Sequence, residues 1–175
     1  NFKFLMLKVI SKVKIYPYHP NFPKLFEKEK EIILKAIGNY ELQHIGSTAV
    51  PGLAGKGIID ILIAVNVWVK TAKIIKELQN LGYVHVHPKD NGRIFLSKKP
   101  VTKYKDTHIH LVKKDGAVYK NLLAFRDCLR LDKIEAKRYL ILKRQWQKQG
   151  KNDRNYYRLA KTDYIKSVIK KSQGL

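Results

Sequence analysis

The run IIDILIAV, residues 58–65, constrains this chain more than any other stretch. Apart from Asp60 it is apolar, and it is dominated by β-branched residues. A short, near-continuous apolar run of this kind predicts a buried strand at the centre of a sheet. Asp60 breaks the pattern. A carboxylate is costly to bury without a partner. It must therefore sit near a strand end, bind a cation, or accept hydrogen bonds from a neighbouring loop.

The rest of the chain is read around that strand. Residues 1–15 suggest an edge strand with a ragged leader, and YPYHPNFP is a turn-rich connector. Asn21 and Pro23 open a helix whose apolar face carries Leu25, Phe26, Ile32, Ile33, Ala36 and Ile37, and Gly38 stops it. A strand over 41–45 leads to the loop before IIDILIAV. A helix capped by Asn66 is expected to about Leu81. Strands over 83–87 and 93–98 are joined by the turn HPKDNG, and THIHLV forms another strand. From about 117 the pattern is helical, in three segments near 117–131, 133–149 and 154–172, with Asp153 capping the last. The order, mixed α/β followed by helices, predicts an α+β fold in a single domain over 1–175, with a mixed core over 13–112 and a helical section over 117–172.

Three groups of residues have chemical potential. The first is the glycine-rich loop with Gly46, Ser47, Gly52, Gly55 and Gly57, where backbone N–H groups can cradle an anion and Lys56 adds a point charge. Its spacing is not that of a P-loop, because Gly57 follows Lys56. The second is His108 and His110, two apart on a strand and so on one face. With Asp60, and with His44 at the end of the preceding strand, they form a donor set suited to a divalent metal. The third is basic: Arg93 and Lys98 on RIFLSK, and Arg126, Lys143 and Lys161 on the C-terminal helices, all able to neutralise phosphate charge.

Charge supports an anionic partner. There are 36 Lys+Arg against 14 Asp+Glu, a formal net charge of +22, which attracts polyanions at long range. Only 7 of those basic residues are Arg, the better bidentate reader of bases and phosphates, so sequence-specific DNA recognition is disfavoured. The lone Cys128 excludes an internal disulfide and fits a reducing compartment; among Leu and Phe it reads as a small core residue. FLMLKVI is too short to span a bilayer. The expected location is cytoplasmic, with no membrane association. The initial Asn points to a native start upstream of residue 1.

HIGSTAVPGLAGKGIIDILIAV followed by HIHLV resembles the GrpB family, a largely uncharacterised group with a nucleotidyltransferase-like fold. YPYHPNFPKLFEKEKEII, LGYVHV, GRIFLSK, LLAFRDCLR, LKRQW and YYRLAKTDYIKSVI extend the resemblance over roughly residues 13–172. It implies a mixed sheet of the nucleotidyltransferase type. In that superfamily a Gly-Ser pair precedes a strand with two aspartates one residue apart, and these hold Mg²⁺ for attack at an α-phosphate. Gly46 and Ser47 match the pair and Asp60 the first aspartate, but the second position is Leu62. His108 and His110 occupy the strand of the third acid.

The resemblance implies a nucleotide-handling protein, a divergent metal-dependent nucleotidyltransferase. In it Asp60 and Ser47 are catalytic, and Gly46, Ser47 and Thr48 contact a triphosphate. Lys56, Arg93, Lys98, Arg126, Lys143 and Lys161 neutralise phosphate, while Asp60, His108, His110 and His44 hold Mg²⁺, Mn²⁺ or Zn²⁺. Two readings stand beside it: a non-catalytic module binding RNA or an acidic partner, and a metal-dependent phosphohydrolase acting on a phosphorylated small molecule.

Overall fold

The computed structural model describes residues 13–90, 92–99 and 106–172. Most of the expected strand over 1–15 lies outside the described residues. Five strands form one mixed sheet: β1 (Glu41–Ile45), β2 (Ile59–Val65), β3 (Val84–Asp90), β4 (Arg93–Lys98) and β5 (Thr107–Lys113). Their spatial order is β1-β2-β5-β4-β3, with β2 and β5 parallel and the other pairs antiparallel. The apolar run thus lies inside the sheet, as its composition requires.

Two helices, α1 (Phe22–Ile37) and α2 (Thr71–Asn80), cover one face. Phe26, Ile33, Ile74 and Leu78 meet Ile61, Ile63, Leu96, Ile109 and Leu111 there in the main core. Three helices, α3 (Ala117–Leu131), α4 (Lys133–Gln149) and α5 (Arg154–Ser172), make up the C-terminal section. α3 packs on the second face against Ile45, Leu62, Ala64 and Val112. Asp153 caps α5 by accepting from the Tyr156 N–H at 2.7 Å.

Two expected boundaries move. The α2 helix starts at Thr71, not after Asn66, because residues 68–70 form a single 3-10 turn. Val67 and Val69 crowd a helical turn at χ1, and the Thr71 hydroxyl donates to the Trp68 carbonyl at 2.8 Å. β3 runs on to Asp90, through residues expected in a turn, with register shifts at His85/His87 and His87/Asp90. β3 is a margin of the sheet, where Pro88 removes no needed ladder donor.

Candidate functional site

Strand register decides which side chains meet. Ile45 pairs with Asp60, Asp60 with His108, and His108 with Ser97. Two residues along, Leu62 pairs with His110 and His110 with Phe95. Side chains two apart on a strand share a face. Asp60, His108, His110, Phe95 and Arg93 therefore occupy the same face, beyond the edge of the cluster under α3.

The contacts confirm the register. His108 Nδ1 lies 3.3 Å and His110 Nε2 3.4 Å from the same carboxylate oxygen, Asp60 Oδ1. Phe95 presents its ring edge-on to both imidazoles, at centroid distances of 4.9 and 5.3 Å. The imidazoles keep 10% and 12% side-chain exposure and Asp60 22%, so the carboxylate still reaches solvent. Burial alone would raise the Asp60 pKa; hydrogen bonds from His108 and His110 outweigh it and hold the carboxyl well below its usual range. Burial pushes His110 the opposite way to its carboxylate partner and prevails, with Arg93 and His108 adding to the fall. Among the described residues, the buried His110 Nδ1 has no hydrogen-bond partner.

The glycine loop is built against this carboxylate. Gly46 has φ 73° and ψ −171°, a region that side-chain-bearing residues hardly enter. A Cβ there would fall 3.0 Å from Asp60 Cγ and 3.1 Å from its Cβ, and nearer still to Oδ2. At Gly55 a Cβ would fall 2.8 Å from Ser47 Cβ and 3.8 Å from Lys143 Nζ. The loop is pinned by Val50 and Leu53, which pack with Leu129 and Tyr139, and by the two-way pairing of Tyr16 with Gly55. Gly46 thus faces Asp60, and Gly55 faces both Ser47 and Lys143.

Three lysines border the same place. Lys143 of α4 is 2% exposed. Its ammonium donates to the Ala54 carbonyl and lies 4.7 Å from the centre of the Tyr139 ring. Burial first, then Lys161 and Arg144, push its pKa down to about 7. Lys56 in the loop is pushed down to about 8, chiefly by burial and next by Lys161, while Asp60 and Asp106 oppose the shift. Lys161 of α5 is thus within electrostatic reach of both.

Several expected site residues lie elsewhere. His44 pairs with Ile61 and so points to the opposite face, where its ring stacks on Phe26 at 4.6 Å. Thr48 donates to the Ile58 carbonyl at 2.8 Å and accepts from His44 Nε2 at 3.0 Å, so its hydroxyl is committed to the fold. Burial holds His44 neutral by pushing its pKa to about 4. Lys98 also faces the α1 side, forming an ion pair with Glu29 and lying 4.6 Å from the Tyr83 ring centre. Arg126 spans the outer margin of β1, donating to Gln43 Oε1 at 2.9 Å and the His44 carbonyl at 3.1 Å while pairing with Asp127. It lines a separate groove of about 570 Å³ with Tyr18, Lys30 and Arg130. Cys128 is half-buried on α3.

The donor set fits a resident metal poorly. Among the described residues, no group of three or more His, Cys, Asp or Glu side chains is arranged to hold an ion. Asp60 Oδ1 is the shared acceptor of both imidazoles, His44 is turned away, and Leu62, with no exposure, fills the second acid's position with core. Asp106, just before β5, opposes the fall in the Lys56 pKa and was missed from the sequence. So was Tyr139, four residues before Lys143 on one helix face.

A sheet-borne carboxylate clamped by two imidazoles beneath a glycine turn, flanked by helical lysines, defines a small α+β protein with a polar site on one sheet face. The profile described as GrpB protein matches residues 12–171, and the chain belongs to the GrpB family. A UPF0157 protein of Halalkalibacterium halodurans is 31% identical over 94% of this chain and 84% of its own length. The glutamate-rich protein GrpB of Alkalihalophilus pseudofirmus is 29% identical over 91% of this chain and 95% of its own. The crystal structure of the conserved protein GrpB from Enterococcus faecalis superposes with a TM-score of 0.80 at 30% identity, covering 91% of this chain and 96% of that one. Among the described residues no helix is long and apolar enough to cross a membrane.

Proposed function

We propose that this chain binds nucleotides at the Asp60 site, as a divergent relative of the nucleotidyltransferases. The observation that carries the reading is the close approach of the Gly46–Ser47 turn to the Asp60 carboxylate on one side and to Gly55 on the other, where Lys143 also borders Gly55. Backbone N–H groups in a glycine turn of this kind can cradle an anion. Lys56, Lys143 and Lys161 supply positive charge beside it, and Arg93 acts on the site from β4. In a transfer reaction an acceptor hydroxyl would attack the α-phosphorus and the bond to pyrophosphate would break. The lysines would stabilise charge on the departing phosphates.

The test is calorimetric and thermal-shift titration with ATP, CTP, GTP and UTP, with and without Mg²⁺, Mn²⁺ or Zn²⁺. Saturable binding by at least one nucleotide is expected, and no binding in any combination refutes the proposal. Leu62 favours a second reading, a binding module without turnover, because it leaves Asp60 without the partner acid a two-metal reaction uses. Incubation with nucleotide and a candidate acceptor separates the two: released pyrophosphate supports transfer, and binding without product supports the module. Release of inorganic phosphate from phosphorylated metabolites would assign hydrolysis instead.

A further inference from the structure

We infer that the ligand of the Asp60 site is a metal-free polyphosphate, with three lysines from three separate elements supplying the positive charge that a metal-dependent site takes from its cation. The inference rests on the proposed nucleotide-binding reading and narrows its ligand class. Lys56 comes from the loop before β2, Lys143 from α4 and Lys161 from α5. Nothing in their sequence spacing brings them together. The fold does so, by seating the loop on α3 and α4 through Val50, Leu53, Leu129 and Tyr139.

The balance of charge favours an anion over a cation. The groups acting on the site are Lys56, Lys143, Lys161, Arg93 and Arg154 on the basic side, against Asp60 and Asp106 on the acidic side. Asp60 is also committed, because Oδ1 is the point to which both imidazoles turn. A divalent cation entering here would meet one partly screened carboxylate and repulsion from several ammonium groups. A free triphosphate tail meets the reverse: N–H groups at the Gly46–Ser47 turn and converging Lys side chains. Chelation by Mg²⁺ removes part of the tail's negative charge, and with it part of the attraction.

Lys143 shows that the arrangement has a cost. A lysine stem buried at 2% exposure, with its head against one carbonyl and one aromatic face, is unfavourable unless something is gained from its charge. Its ammonium lies 3.8 Å from where a Cβ on Gly55 would sit, beside the loop in which a bound phosphate would add to its partners.

The experiment titrates ATP and inorganic tripolyphosphate into the full chain by calorimetry, in excess EDTA and in excess MgCl₂. The inference expects affinity in EDTA equal to that in Mg²⁺, or up to about tenfold tighter. Lys56→Ala and Lys161→Ala, both outside the core, should each weaken binding in EDTA by about tenfold, the scale of one lost charge contact. Asp60→Asn should bind tripolyphosphate more tightly in EDTA, since it removes a repelling charge. Circular dichroism checks that each variant is folded. Binding that appears only with a divalent cation, abolition of binding by Asp60→Asn, or unchanged affinity in both lysine variants would each overturn the inference while leaving nucleotide binding intact. Failure of both probes in both buffers would take down nucleotide binding and the inference together.

Discussion

Replacing Gly46 with alanine tests whether the turn is built against the carboxylate. Two costs add. The backbone at φ 73° and ψ −171° lies in a region nearly closed to L-residues, at roughly 1–3 kcal/mol. The new methyl would also lie 3.0 Å from Asp60 Cγ, and Asp60 cannot swing aside without leaving His108 and His110. Overpacking of that kind costs about 1–3 kcal/mol. Gly46→Ala should therefore lose about 2–6 kcal/mol. A double-mutant cycle with Asp60→Ala divides the two costs: with the carboxylate gone, only the backbone part should remain, giving a coupling of about 1–3 kcal/mol. Urea unfolding of the wild type, both single variants and the double variant, followed by circular dichroism, measures it. A Gly46→Ala loss below about 1 kcal/mol, or a coupling within about 0.5 kcal/mol of zero, would refute the reasoning.

Three further outcomes follow from the same geometry. Lys143, held at about 7 by burial against an ordinary 10.5, binds fewer protons folded than unfolded between those values. Native stability should thus rise with pH across that window, and Lys143→Met should exceed the wild type by on the order of 3 kcal/mol near pH 6, with the advantage vanishing toward pH 10; urea midpoints at several pH values check the slope. Leu62→Asp should not restore a metal site, because it buries a carboxylate among Ile45, Ala64 and Val112. A loss of at least about 3 kcal/mol is expected, read by thermal melting with and without Mn²⁺. Lys98→Ala should lower stability by about 1–2 kcal/mol through its Glu29 partner and leave ATP affinity unchanged, in contrast to Lys161→Ala in the same titration.

The strands were legible because their residues obey a period of two, and so was the pairing of Asp60 with the histidines. His108 and His110 must share a face, and a central strand carrying Asp60 has few neighbours to choose from. Register was not legible. His44 and Ile45 are both apolar enough for an interior position, and a shift of one residue decides which of them sits beside Asp60. Lys98 is a different case: Arg93 and Lys98 are five apart on one strand, an odd number, so parity alone puts them on opposite faces. Asp106 was overlooked because it ends a polar loop just before THIHLV. The gathering of Lys56, Lys143 and Lys161 depends on how three helices seat against a loop, and no local pattern encodes that.

The two margins of the sheet differ in how they are closed. On one side Arg126 occupies the His44 carbonyl at 3.1 Å; on the other, Pro88 interrupts the donor row of β3. An incoming strand from another molecule would have to displace a guanidinium group or tolerate a missing N–H. Sheet growth between copies is thereby discouraged at both borders, and a chain that must stay dispersed in a concentrated milieu can keep its central strands as greasy as IIDILIAV without recruiting neighbours into a fibre.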